Sequence, residues 1–181
     1  FGAQLANPAF VAWLKALAAA DLVMDSANPT PALLADLVRT TDRVPDLRIV
    51  VDHLPQLNPP VEAEPRRVYD ESLRELGKRP QVYVKLSEVL RRVNGQVPHD
   101  LAAYKPRLDH LFGVFGEDRV LFGSDWPNSD QWAPYAQVFS VVREYFEGKG
   151  PAIAEKYFWK NSVAAYKWVW REKGQPRVGK A

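Results

Sequence analysis

Residues 119–130 read RVLFGSDWPNSD, and this stretch decides how the rest of the chain is read. Arg119 leads into Val120, Leu121 and Phe122, and Gly123-Ser124-Asp125 and Trp126-Pro127 follow. A short apolar run bounded by glycine and proline predicts a buried strand. A carboxylate at the exit of such a strand has to be paired, solvated in a cleft, or used in chemistry. Asp125 is therefore the first candidate functional residue. The competing reading is an aspartate that caps the strand-to-loop corner.

Working outward, three more segments predict strands: Leu22 to Asp25, RIVVDHLP at 48–55 and QVYVKLSEVL at 81–90. Their near-continuous apolar runs suit strands covered on both faces. Residues 8–20 are apolar all round with Lys15 as the only charge, which predicts a mostly buried helix opened by Pro8. Residues 31–41 form an amphipathic helix capped by Thr30, residues 66–78 a polar-faced helix ending near Gly77, and residues 100–115 a helix with Asp100 as cap. From about Trp132 to Trp170 the pattern predicts two or three helices, broken at Gly148, Gly150 and Pro151. Alternating strands and helices imply an α/β fold with a parallel sheet and right-handed crossovers.

In parallel α/β folds ligands sit at the carboxyl ends of the strands. Here those ends are Asp25, Asp52-His53, Ser87 and Ser124-Asp125. Alternation places Leu121, Gly123 and Asp125 on one face of the last strand, with Val120 and Phe122 against helices. Turning His53 inward brings Ile49 and Val51 with it and turns Asp52 away as a structural carboxylate. Tyr83, Lys85 and Ser87 share a face opposite the aliphatic Val82, Val84 and Leu86. Lys85 then needs a carboxylate, Asp25 or Asp125, unless it serves as a catalytic ammonium. Arg91 and Arg92 are adjacent, so in extended chain they point opposite ways and one of them can reach the site. Trp126 either lines a pocket or anchors its loop.

The 181 residues suit a single domain, 1–181, and 46% hydrophobic residues supply a core. A formal net charge of +2 argues against a nucleic-acid partner, which needs clustered basic charge. The absence of cysteine excludes disulfides and thiolate metal sites. No apolar run reaches transmembrane length, and nothing near the start has the form of a signal peptide. No compartment signal is present, and the cytoplasm is the expected location. The chain opens at Phe1, which leads us to expect natural sequence upstream.

Four motifs carry a family resemblance: IVVDHLP at 49–55, VYVKLS at 82–87, RVLFGSDWP at 119–127 and KNSVAAY at 160–166. Together, in this order over residues 20–170, they resemble the amidohydrolase-related family of metal-dependent hydrolases, in the branch of sugar-lactone and pyrone-dicarboxylate lactonases. The resemblance implies a (β/α)8 TIM barrel with its site at the strand C-termini. A complete barrel takes about 250 residues, so the chain is expected to cover strands 5–8, with residues 1–5 as the tail of strand 4. The resemblance makes Asp125 a metal ligand or general base and His53 its catalytic or metal-binding companion. It implies a divalent metal, zinc being the candidate, in the complete parent. Arg91 or Arg92 would hold an anionic or hydroxylated small-molecule substrate, with Ser87 and Trp126 as further substrate-binding candidates. The family's His-x-His motif is absent from the chain, Glu88 replaces the usual glycine after KLS, and Pro55-Gln56 replaces a glycine after DHL. The implied function is hydrolysis of a lactone or related cyclic ester by water that Asp125 activates. The rival reading is a non-catalytic half-barrel or a small four-stranded binding module. Open sheet edges at the strands of Asp25 and Asp125 predict self-association, with Ile49, Val51 and Leu121 exposed on the concave face.

Overall fold

The computed structural model describes residues 1–93 and 95–169; Trp170, the expected end of the helical tail, and the residues beyond it lie outside the described residues. Strands β1 (Val23–Ser26), β2 (Arg48–Val51), β3 (Val82–Lys85) and β4 (Val120–Leu121) form one parallel sheet in sequence order. In register, Asp25 stands beside Val50, Val50 beside Tyr83, and Lys85 beside Leu121. The crossover helices are α2 (Pro31–Arg43), α3 (Ala63–Gly77) and α4 (Lys105–Phe115), preceded by α1 (Pro8–Ala19) and followed by α5 (Tyr135–Glu147), α6 (Pro151–Glu155) and α7 (Asn161–Tyr166). The α2 helix starts as expected: Thr30 Oγ1 accepts from the Leu33 amide at 3.1 Å and Pro31 occupies the first turn.

Three local expectations change. Residues 100–115 divide into a 3-10 turn, Leu101–Ala103, whose amide at Ala103 is capped by Asp100, and then α4. Pro106 lies in the first turn of α4, where its missing N–H costs nothing. Helix α1 buries only Leu14 and leaves Trp13 53% exposed, because among the described residues one side of it alone has neighbours. Residues Gly2–Ala6 form a 3-10 turn and not a strand tail.

Two apolar clusters cover the two faces of the sheet. The larger holds Ile49, Val51, Val82, Val84, Leu86 and Val120 against the helices. The smaller joins Val50, Leu121 and Ala165, flanked by Val23, Tyr83 and Tyr166. The parity expected for β3 and β4 holds. For β2 it is inverted: Ile49 and Val51 face the helices, and Val50 faces the other way. The expected exposure of Ile49, Val51 and Leu121 is thereby overturned, since all three are fully buried. Ile49 and Val51 lie under helices, and α7 brings Ala165 and Tyr166 over Leu121.

A π-helical turn, Lys156–Lys160, ties the ends of β3 and β4 together. The Phe122 amide donates to the Tyr157 carbonyl at 2.9 Å, so β4 stops after two residues. The buried Tyr157 hydroxyl donates to the Leu86 carbonyl at 2.7 Å. At the start of α7 the Asn161 side chain donates to the carbonyls of Glu117 (2.7 Å) and Val120 (2.9 Å), which gives the asparagine of KNSVAAY a structural task.

Candidate functional site

Each strand leaves the sheet through a non-glycine residue in the left-handed region: Asn28 (φ 53°) after β1, His53 (φ 52°) after β2, Glu88 (φ 50°) after β3 and Asp125 (φ 57°) after β4. This conformation costs an L-residue about 1–2 kcal/mol, and such strain collects at functional sites. It also ends the in-out alternation. Asp52 keeps the sheet parity and faces Lys85, while the left-handed turn at the next residue brings His53 to the same end of the sheet.

There the side chains converge. His53 Nε2 lies 3.4 Å from Asp125 Oδ1, and His53 Nδ1 lies 2.8 Å from Ser87 Oγ. Glu88 joins them: one ligand atom from each of His53, Glu88 and Asp125 lies within 4.8 Å of the others. Glu88 is buried. Its Oε1 accepts from Trp132 Nε1 at 3.2 Å and its Oε2 stands 3.4 Å from Arg91 Nη2. These three side chains line an open cleft of about 340 Å³. The remaining walls are four carboxamides, Asn28, Gln56, Asn128 and Gln131, with Ala27 as the one apolar residue. Among the described residues neither lysine nor arginine lines this cleft.

Lys85 faces the same side of the sheet, as expected, but Asp52 joins the expected Asp25 as its partner. Its Nζ is 2.7 Å from Asp52 Oδ1 and 3.0 Å from Asp25 Oδ1. Asp52, expected to point away as a structural carboxylate, is thus half of an ion pair on the site side. The Tyr166 hydroxyl donates to Asp25 at 2.5 Å. Burial alone would lower the Lys85 pKa, but contacts with Asp52, Tyr166 and Asp25 outweigh it and hold the ammonium above its ordinary value. A lysine so held is a poor proton carrier near neutral pH, so the interior-pair alternative prevails over the catalytic one.

Other candidates are placed differently. Ser87 has no exposed surface, and its Oγ meets His53 Nδ1. Arg91 and Arg92 line a second cleft of about 260 Å³, between the loops after β2 and β3 and the start of α4. Arg91 donates to the Leu90 carbonyl, packs 5.3 Å from the Trp132 ring centre and pairs with Glu88. Burial lowers its pKa, and the Glu88 charge opposes that shift. Trp126 is 61% exposed, donates to Asp130 at 3.1 Å and stays outside the lining of the Asp125 cleft. Sequence reasoning missed Glu88 and the carboxamides as site residues. The signal for Glu88 was present, since it follows a strand end as Asp125 does.

The sequence model of the Amidohydrolase family matches residues 3–168. The chain belongs to this family. Among curated relatives of this amidohydrolase, an L-fucono-1,5-lactonase from Burkholderia ambifaria is 34% identical over 124 residues, covering 68% of this chain and 41% of the relative. Another, from Burkholderia multivorans, is 33% identical over 96 residues, 51% of this chain and 32% of its own length. The chain thus spans less than half the length of either relative. Among solved structures, an amidohydrolase from Burkholderia multivorans with bound zinc superposes with a TM-score of 0.74 at 25% identity, over 91% of this chain and 59% of that one. An amidohydrolase from Bifidobacterium longum subsp. infantis gives 0.69 at 25% identity, over 89% and 56%. A probable 2-pyrone-4,6-dicarboxylic acid hydrolase from Acinetobacter baumannii, 17% identical over 91% of this chain and 59% of that one, shares the fold at a TM-score of 0.67.

The residues present fit a divalent ion. Two ligand atoms each about 2.1 Å from a tetrahedral ion stand about 3.4 Å apart, which is the His53–Asp125 separation. One imidazole and two carboxylates are a donor set that zinc accepts. Among the described residues no helix is long and apolar enough to cross a membrane.

Proposed function

We propose that this amidohydrolase chain carries half of the reaction centre of a lactone hydrolase, with Asp125, His53 and Glu88 at its heart. The observation that carries this reading is the approach of His53 Nε2 to Asp125 Oδ1 at 3.4 Å, at the floor of a polar cleft fed by all four strand exits. The L-fucono-1,5-lactonase relatives support a cyclic ester as substrate.

In this reading Asp125 accepts a proton from water as the water oxygen bonds to the lactone carbonyl carbon. The ring C–O bond then breaks and Asp125 returns that proton to the departing alkoxide oxygen, which leaves a hydroxy acid. In the Nδ1–H tautomer that this reading requires, Ser87 Oγ accepts from His53 and the Nε2 lone pair faces Asp125. His53, Asp125 and Glu88 would hold a divalent ion, zinc being the candidate; bound there, it supplies Lewis-acid polarisation of the ester carbonyl. Arg91 and Trp132 fix the Glu88 carboxylate, so Arg91 serves as a positioning residue and Arg92 stands outside the centre. Lys85 holds the barrel interior through Asp25 and Asp52.

The chain is read as the strand 5–8 half of a (β/α)8 barrel, a single unit over 1–181, with β1 and β4 as open edges that the other half covers. The complete polypeptide is then an enzyme of the cytoplasm, and the isolated chain lacks full activity. The test is pH-stat turnover of a neutral 1,5-lactone by the complete polypeptide, with metal analysis before and after chelation. Turnover that falls on chelation and returns with zinc supports the reading. No hydrolysis of any lactone by metal-loaded protein contradicts it.

A further inference from the structure

Four carboxamides form much of the wall above the His53–Glu88–Asp125 floor, and they come from three different strand exits. Asn28 follows β1, Gln56 follows β2, and Asn128 and Gln131 follow β4. Among the described residues the side chains of Asn28, Gln56 and Gln131 make no hydrogen bond, and Asn128 only reaches Asp125 Oδ1 at 3.4 Å. A carboxamide offers two donors and one acceptor and carries no charge. A hydroxyl group, itself donor and acceptor, matches it in either sense. Among the described residues the cleft offers little for an apolar ring face: Ala27 is its one apolar lining residue. Among the described residues Glu88 and Asp125 are the formally charged carboxylates of its lining, and Arg91 and Arg92 line another cleft.

We propose that Asn28, Gln56, Asn128 and Gln131 form a rim that reads the hydroxyl groups of a polyhydroxylated lactone and so selects it over an unsubstituted one. This assignment of specificity rests on the lactone-hydrolase reading. Each free amide that meets a substrate hydroxyl is expected to contribute about three- to tenfold in affinity, the usual net worth of a neutral hydrogen bond. A substrate without hydroxyls leaves those amides to water and gains nothing from them.

The test uses the complete polypeptide and three ligands: a fully hydroxylated 1,5-aldonolactone, unsubstituted δ-valerolactone, and the corresponding 1,5-anhydroalditol, a cyclic polyol without an ester. The wild type should turn over the hydroxylated lactone with the larger kcat/KM. Asn28→Leu and Gln131→Leu should each raise KM for it by about three- to tenfold, with kcat changed little and δ-valerolactone turnover unchanged within about twofold. Equal losses on both lactones, or no wild-type preference, would overturn the rim while leaving lactone hydrolysis standing. If neither lactone is hydrolysed, calorimetric binding of the anhydroalditol decides. Millimolar or tighter binding that both variants weaken supports the rim, and no binding, or binding that neither variant alters, refutes it.

Discussion

Ser87 Oγ meets His53 Nδ1 at 2.8 Å from a position without any exposed surface. Gly123 makes this contact feasible: a Cβ built there would come within 3.0 Å of Ser87 Cβ and 3.3 Å of Ser87 Oγ. Removing Ser87 Oγ frees the imidazole to adopt either tautomer. Ser87→Ala should therefore lower kcat by about tenfold or more, the usual cost of losing a partner behind a ligating histidine, with the fold intact by circular dichroism. Gly123→Ala should do the same by displacing Ser87. Nitrogen NMR of His53 separates this from a general packing defect. The wild type should show Nδ1 protonated and Nε2 free, and Ser87→Ala a mixture; one unchanged tautomer in both proteins would remove Ser87 from the account.

Lys85 sits between Asp25 and Asp52 with about a quarter of its side chain exposed. Deleting the ammonium leaves two carboxylates facing each other. Lys85→Met should cost about 2 kcal/mol in urea unfolding, less than a fully buried pair because solvent screens part of it. Restoring balance with Asp52→Asn in the same chain should recover part of that loss. A Lys85→Met protein as stable as the wild type would mean that the pair contributes no net stability.

Tyr166 predicts how the fold responds to alkali. Burial, assisted by the bond to Asp25, pushes its pKa up to about 12, against about 10 in an unfolded chain. Between these values the unfolded state loses the proton first, so folding loses stability as pH rises from 10 to 12 and is unaffected by this group below 10. Tyr166→Phe should start less stable, having lost its bond to Asp25, and should then decline less steeply over that window. Urea midpoints at pH 9 and pH 11 measure the difference; parallel declines would contradict it.

The edge strands β1 and β4 offer unpaired backbone groups on the isolated 181-residue chain. Size-exclusion chromatography with light scattering should show association or aggregation of that chain. A monodisperse monomer with full lactonase activity would favour a self-sufficient small α/β domain over the half-barrel reading.

Much of this architecture was legible because apolar runs and caps are local signals. RVLFGSDWP gave a buried strand with Asp125 at its exit, Thr30 gave the start of α2, and the all-aliphatic Val82, Val84 and Leu86 gave the face of β3. What failed was extrapolation of the two-residue alternation past the end of β2. His53 faces the cleft, yet Ile49 and Val51 do not share its side, because a left-handed residue breaks the period. No periodicity announces such a turn at a histidine. Where Trp126 and Ser87 stand was not legible because exposure and contact partners depend on tertiary packing: Trp126 lies largely in solvent and Ser87 is sealed behind His53. Apolarity all round α1 suggested burial, but burial needs neighbours as well as apolar side chains. The carboxamide rim was invisible because its members come from loops far apart in the chain.

The central claim is that Asp125 moves the proton in lactone hydrolysis at this cluster. The most direct measurement is steady-state hydrolysis of a neutral 1,5-lactone by the complete polypeptide, wild type against Asp125→Asn, with the metal content of both determined. Loss of a general base should lower kcat by about 10²–10⁴, with a normal circular dichroism spectrum. Asp125→Asn protein that binds metal and hydrolyses the lactone at the wild-type rate would contradict the account.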